Sequence, residues 1–147
     1  MMRRLRLILL AALLAAPVAA GGPVYEAQLR SVAEASTVAL TTIGRTSGKP
    51  RTVTIWFVVD AQGRLYVQSG SGGTTDWYQN LRQTPAVSLL IGELEMTARA
   101  EPIDDAAETA RVHELYRQKY LRARITGWFG GEVGHGRVVA LTDLQSK

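Results

Sequence analysis

The sequence contains no cysteine and only two histidines, His113 and His135. It therefore cannot build a disulfide framework, a thiolate nucleophile, an iron–sulfur cluster or a Cys-ligated zinc site. The two histidines have neither HxxxH nor HxH spacing, so no metal site is expected. Glycine (14) and proline (5) are too few for a fibrous chain. A composition of 46% hydrophobic and 20% charged residues is not that of a disordered one. An excess of one charge sign is also largely missing. Three of the 17 basic residues are Arg3, Arg4 and Arg6; the other 14 stand against 13 acidic residues, a balance of +1 rather than +4. Nothing here calls for a nucleic-acid partner. At 147 residues the chain fits one domain that buries its own core.

The one long apolar run stands at the start. Residues 1–20 read MMRRLRLILLAALLAAPVAA: three arginines, an apolar run from Leu7 to Ala16, Pro17, then Val18-Ala19-Ala20. This is the basic region, apolar region and small-residue cut site of a secretory signal. The run is short for a membrane span, which needs ~20 apolar residues. The expectation is an exported protein, periplasmic or extracellular, cut after Ala20, with residues 21–147 as the folded domain. If the segment is not cut, it is a membrane anchor. No lipobox cysteine exists to make a lipoprotein.

The mature part alternates short apolar runs with turn residues. Val24–Ala35 has the spacing of a short amphipathic helix. Thr37–Ile43, Arg51–Val59, Arg64–Ser69, Val87–Ile91, Leu94–Ala100 and Arg137–Leu144 read as strands. Asp60–Gly63 and Gly92-Glu93 are hairpin turns. Thr75 or Asp76 caps a short helix to Gln83, and Asp104 or Asp105 caps one to about Tyr120. Short hairpins favour an antiparallel sheet. The predicted class is α+β, mainly β: a small closed barrel of about six antiparallel strands with peripheral helices, following a signal segment.

Three places could hold a ligand. Arg45-Thr46-Ser47-Gly48-Lys49-Pro50-Arg51 puts three cations and two hydroxyls in one turn, a donor set suited to a phosphate. The other reading is an exposed hairpin with solvated charges. Ser69-Gly70-Ser71-Gly72-Gly73-Thr74 lets the backbone approach a ligand, although it is neither a Walker loop nor GxGxxG; otherwise it is a hairpin connection. Trp56, Trp77, Tyr78, Tyr116, Tyr120 and Trp128 could wall a flat ligand or fill the core. No acid–base catalyst stands out. Asp60 and Asp76 suit turn and cap roles, and His113 suits packing or surface. Ser47, Ser69 and Ser71 lack a His/Asp pairing, so any chemistry is expected to belong to a cofactor.

The segments TTIGRTSGKPRTVTIWFVVD and LYVQSGSGGTTDWYQNLRQTPAVSL, followed by a helix with Tyr116 and Lys119-Tyr120, resemble the deazaflavin-dependent nitroreductase family over residues 36–144. These are split β-barrels related to the FMN-binding pyridoxamine phosphate oxidases. A related group of small uncharacterised split-barrel proteins shares the W-Y and K-Y features. The resemblance implies a barrel that binds a reduced deazaflavin (coenzyme F-420) and passes hydride to a nitro compound or quinone. It implies that Arg45, Ser47, Lys49 and Arg51 hold the phosphate or acidic tail, and that Thr52, Val53 and Thr54 line the ring. Ser69, Gly70, Ser71 and Gly72 would clasp the phosphate side, with Trp77 close by. Trp56, Tyr116 and Tyr120 would shape the substrate pocket, and no side chain would be an obligatory proton donor. A homodimer is common among such barrels. Thr46, Ser71 and Thr54 depart from the family, which often has Lys, Lys and Pro there. The two missing lysines leave FMN as the alternative cofactor. An exported binding barrel without chemistry is the alternative function.

Overall fold

The computed structural model describes residues 23–122 and 135–147. Helix α1 (Pro23–Val32) leads into seven strands: β1 (Val38–Ile43), β2 (Pro50–Ile55), β3 (Phe57–Val59), β4 (Leu65–Ser69), β5 (Ala86–Ile91), β6 (Leu94–Pro102) and β7 (Arg137–Ser146). Helix α2 (Asp76–Gln83) lies between β4 and β5, and α3 (Ala106–Arg122) follows β6. The signal segment and Trp128 fall outside the described residues.

Every strand pairing is antiparallel, in the order β2-β1-β5-β6-β7-β4-β3. The two ends of that order are consecutive in the chain, with only Trp56 between Ile55 and Phe57. Two residues of chain span at most ~7 Å. The sheet must therefore curl until its edges meet, which makes it a split barrel. Closure runs through one residue rather than through a hydrogen-bond ladder.

This corrects the strand count. The apolar run Arg51–Val59 reads as one strand and is two. Its first half pairs with β1, from Arg51↔Thr42 to Ile55↔Val38, and its second half pairs with β4, from Phe57↔Val67 to Val59↔Leu65. Both halves have strand-forming side chains, so the corner is set by partners distant in sequence. Trp56 marks it, stacked on Tyr120 with ring centroids 4.4 Å apart.

The barrel interior is filled by alternate residues of the strands, as in Val38 and Leu40 of β1 or Val87, Leu89 and Ile91 of β5, and by Trp77 and Leu81 of α2. A second core lies outside the barrel, where α3 covers β3, β4 and β7. There Val112, Tyr116 and Tyr120 meet Val58, Tyr66 and Val138. This explains why β4 reads Leu-Tyr-Val without a polar face: Leu65 and Val67 face inward and Tyr66 faces α3. The Asp105 carboxylate caps α3 by accepting the Glu108 N–H at 2.7 Å. Thr75 precedes α2 without a side-chain cap; its hydroxyl instead pairs with that of Ser69 at 2.6 Å.

Candidate functional site

A concavity of about 810 Å³ lies between the β1–β2 turn, β2 and the start of α2. Its lining includes Arg45, Ser47, Arg51, Thr52, Val53 and Trp77, six of the residues singled out in the sequence. The turn holds its shape through the backbone: Gly44 N–H donates to the Lys49 carbonyl and Gly48 N–H to that of Gly44, each at 2.8 Å. Gly48 is left-handed at φ +66°. The Ser47 hydroxyl accepts the Lys49 N–H at 3.2 Å, so part of its capacity is used in the turn.

The cations differ in what they do. Arg45 Nη2 lies 2.9 Å from Asp76 Oδ1, and Nη1 donates to Asn80 Oδ1 at 3.1 Å. Arg45 N–H donates to the same Asn80 oxygen at 3.1 Å, and Asn80 Nδ2 donates to Thr42 Oγ1 at 3.2 Å. Arg45 is thus a strap between the turn and α2. Arg51, in contrast, has no side-chain hydrogen bond or ion pair among the described residues, and it lines the groove. Lys49 is exposed on the turn beside it and is not part of the lining.

Among the described residues β2 has a strand on one side only, which leaves its other edge of backbone N–H and C=O groups free of a ladder there. Thr52 pairs across to Thr41, hydroxyl to hydroxyl at 2.7 Å. Thr54 is exposed and lies outside the groove lining. Trp77 is buried, edge-on to Tyr78 at 6.2 Å, and closes the inner wall.

The glycine-rich loop is not part of this lining. Gly72 and Gly73 line a separate concavity of about 270 Å³ on the other side of α2, with Tyr78, Arg82 and Arg137. Ser69 is fully buried and bonded to Thr75. Ser71, Gly72 and Gly73 are consecutive left-handed residues, and Gln79 Nε2 fastens the loop by donating to the Gly73 carbonyl at 2.7 Å.

The aromatic trio also sits elsewhere. Tyr116 and Tyr120 are 0% and 1% exposed. The Tyr116 hydroxyl donates to the Trp56 carbonyl at 3.1 Å, and the Tyr120 hydroxyl accepts the Phe57 N–H at 2.9 Å. Burial raises both phenols' pKa. They fasten α3 to the corner where the barrel closes. Lys119 belongs to the same fastening: its Nζ donates to the Ala35 and Phe57 carbonyls at 2.7 and 3.0 Å, over the Phe57 ring. Burial pushes its pKa down to about 8, with the Glu34 charge pulling the other way.

Asp60 is a turn residue, as expected, and also a hub. Its Oδ1 accepts the Gln62 and Arg64 N–H groups, and its Oδ2 meets Arg64 at 2.8 Å and Arg111 of α3 at 3.2 Å. His113 Nε2 packs on the Gly136 carbonyl at 2.8 Å. Among the described residues no three His, Cys, Asp or Glu gather as a metal set.

Asp76, which the sequence reading takes only as a helix-cap candidate, and Asn80, which it leaves unassigned, are groove residues. Both stand in the DWYQNL stretch. The available signal was Asn80 itself, a polar residue three after Trp77 and one before Leu81, on the buried face of α2.

Residues 28–132 match the family described as "Uncharacterized protein conserved in bacteria (DUF2255)". The fold is similar to that of a "Putative Pyridoxamine 5'-phosphate oxidase" from Listeria innocua, at 21% identity and TM-score 0.53 over 82% of this chain and 96% of that one. It is similar to an F420-H2 dependent reductase (FDR-A), at 22% and 0.53 over 72% and 93%. It is also similar to a NimC/NimA family protein from Clostridium acetobutylicum, at 18% and 0.56 over 81% and 82%. At these identities the likeness is one of fold.

Proposed function

We propose that this chain, which belongs to the DUF2255 family, is an oxidoreductase of the split-barrel type that holds a flavin-like cofactor in the groove between the β1–β2 turn and α2. The observation that carries the reading is the pairing, in one groove, of an Arg51 guanidinium and a β2 backbone edge that both lack partners among the described residues. A phosphorylated, flat heterocycle asks for that combination: charge-assisted donors at one end and a row of N–H and C=O groups along the ring. A volume of about 810 Å³ is within the range of cofactor sites.

Arg51 and the remaining Ser47 capacity would hold the phosphate. The β2 edge at Thr52 and Val53 would meet the polar edge of the ring, and Val53 and Trp77 would keep water from its face. When bound, a reduced flavin or deazaflavin supplies the hydride. Nitro compounds and quinones are acceptors that suit this, because the protons they take up with the hydride can come from water and no side chain of the groove need donate one. Reduced coenzyme F-420 and FMN are the two cofactors, and a homodimer accords with the reading. We also propose that residues 1–20 export the protein. N-terminal sequencing of the exported chain should begin at Gly21, and an unshortened chain in the cytoplasm refutes this.

The test is a titration of the purified protein with FMN and with oxidised and reduced deazaflavin, read by fluorescence. Saturable binding that Arg51→Ala weakens by about 1.5–3 kcal/mol, the scale of a charged hydrogen bond, supports the site. Unchanged affinity removes Arg51 from it. A second reading, a binding barrel without chemistry, is favoured by one observation: Arg45 is already engaged by Asp76 and Asn80. Binding of either cofactor without hydride transfer to any nitroaromatic or quinone would select it.

A further inference from the structure

The three cations of the β1–β2 turn make a polyanion site on paper. In the fold one of them faces a carboxylate. Asp76 Oδ1 is 2.9 Å from Arg45 Nη2, and the Asp76 side chain is 87% exposed. That exposure separates it from a structural ion pair. A carboxylate so open to water contributes little to stability through its pair. Stability is instead supplied next door: Asn80, 4% exposed, binds both the backbone N–H and the guanidinium of Arg45. Arg45 would be held in place without Asp76. What the carboxylate adds is a negative charge inside the groove lining, at the guanidinium that an anionic ligand would otherwise reach.

We propose that Asp76 is the groove's resident counter-anion and that it restricts the site to ligands of low negative charge, a single phosphate rather than a polyanionic tail. The inference rests on the cofactor reading above and narrows it. Arg51 remains available to one phosphate. Within the groove lining a second anionic group must compete with Asp76 for Arg45; the one other cation of the turn, Lys49, lies outside that lining. The same carboxylate lies in the first turn of α2, where negative charge suits the helix. The helix therefore favours a negative charge at that position.

Asp76→Asn tests this, because it keeps the shape and an acceptor for Arg45 while removing the charge. Affinities for riboflavin, FMN, a polyglutamylated deazaflavin and inorganic pyrophosphate are compared in the two proteins at low and high salt. The expected result is no change for riboflavin, a gain of about two- to fivefold for FMN, the size of an exposed ion pair, and a larger one for the deazaflavin and pyrophosphate. The gains should shrink with salt. Glu93→Gln, in the Gly92-Glu93 hairpin turn outside the groove, removes one negative charge elsewhere and should give no gain.

If FMN binds but Asp76→Asn gains nothing, or gains equally for riboflavin, the counter-anion role is wrong and the cofactor site stands. If no flavin binds to either protein while pyrophosphate still gains, the cofactor reading falls and Asp76 keeps its role. Failure of every probe to bind either protein overturns both.

Discussion

Asn80→Ala is the most informative single change, because Asn80 ties the groove to the core. Its Oδ1 accepts two hydrogen bonds from Arg45 and its Nδ2 donates one to Thr42, which is 0% exposed. One of the three is charge-assisted. Ordinary hydrogen bonds net about 0.5–1.5 kcal/mol and those to charged groups about 1.5–3. The simple sum overstates the loss, since Arg45 is exposed and can return to water. The Thr42 hydroxyl cannot, and its desolvation is the part that remains. Alanine also recovers up to ~0.7 kcal/mol of helix propensity in α2. The expected net loss is about 1.5–3 kcal/mol, measured by urea unfolding. Pyrophosphate or FMN binding should weaken as well, because the turn loses its strap to the helix. A stability change within about 0.5 kcal/mol of zero, on the scale of an ordinary surface substitution, would refute the view that Asn80 organises the site.

Two further changes probe other parts of the fold. Gly73 is at φ +85°, and a Cβ there would lie 3.0 Å from both Arg137 Cγ and Tyr78 Cε1, whereas one on Gly72 at φ +68° would meet nothing within 4 Å. Gly72→Ala should cost only the left-handed penalty of about 1–2 kcal/mol, and Gly73→Ala about 1 kcal/mol more by thermal or urea unfolding; equal losses would refute crowding at Gly73. Lys119 has a folded pKa of about 8 against an ordinary 10.5, so between those values the unfolded state binds more protons. Wild-type stability should therefore rise across pH 8 to 10.5 relative to Lys119→Met, and a difference that is flat or falls with pH refutes the direction.

The fold was legible where local rules set it. Short runs of β-branched and apolar residues bounded by turn residues give β1 and β5, Gly92-Glu93 gives the β5–β6 hairpin, and Asp104-Asp105 gives the start of α3. The break at Trp56 was not legible, because Arg51–Val59 has no glycine, proline or charge after Arg51 to mark it. Which strand each half joins is settled by β1 and β4, and no local residue reports that. Aromatics were ambiguous for a related reason. The sequence offers Tyr116 and Tyr120 either as pocket walls or as core, and the choice depends on where α3 lies. It lies against β3, β4 and β7, so both hydroxyls are bonded to main-chain atoms.

The site shows the same division more sharply. The turn GRTSGKPR advertises three cations, and sequence alone treats them as equals. Their difference lies in which of them meets a counter-charge, and the partner is Asp76, 31 residues further on. The sequence sees that aspartate as a helix-cap candidate, which is compatible with its place in the first turn of α2. Its distance to Arg45 exists only once β2 has left the β3–β4 hairpin to pair with β1 and brought the turn against α2. The Trp56 corner that hides the strand count is thus also what separates the turn from the glycine loop. Had Arg51–Val59 run straight along β4, turn and loop would share the open end of one hairpin. The split sends the turn to one side of α2, while the loop lines the other with Arg82 and Arg137. In the proposed reading a ligand in the groove would be met by Arg51 and the β2 edge, and its net charge would be limited by a carboxylate that only the barrel's closure delivers.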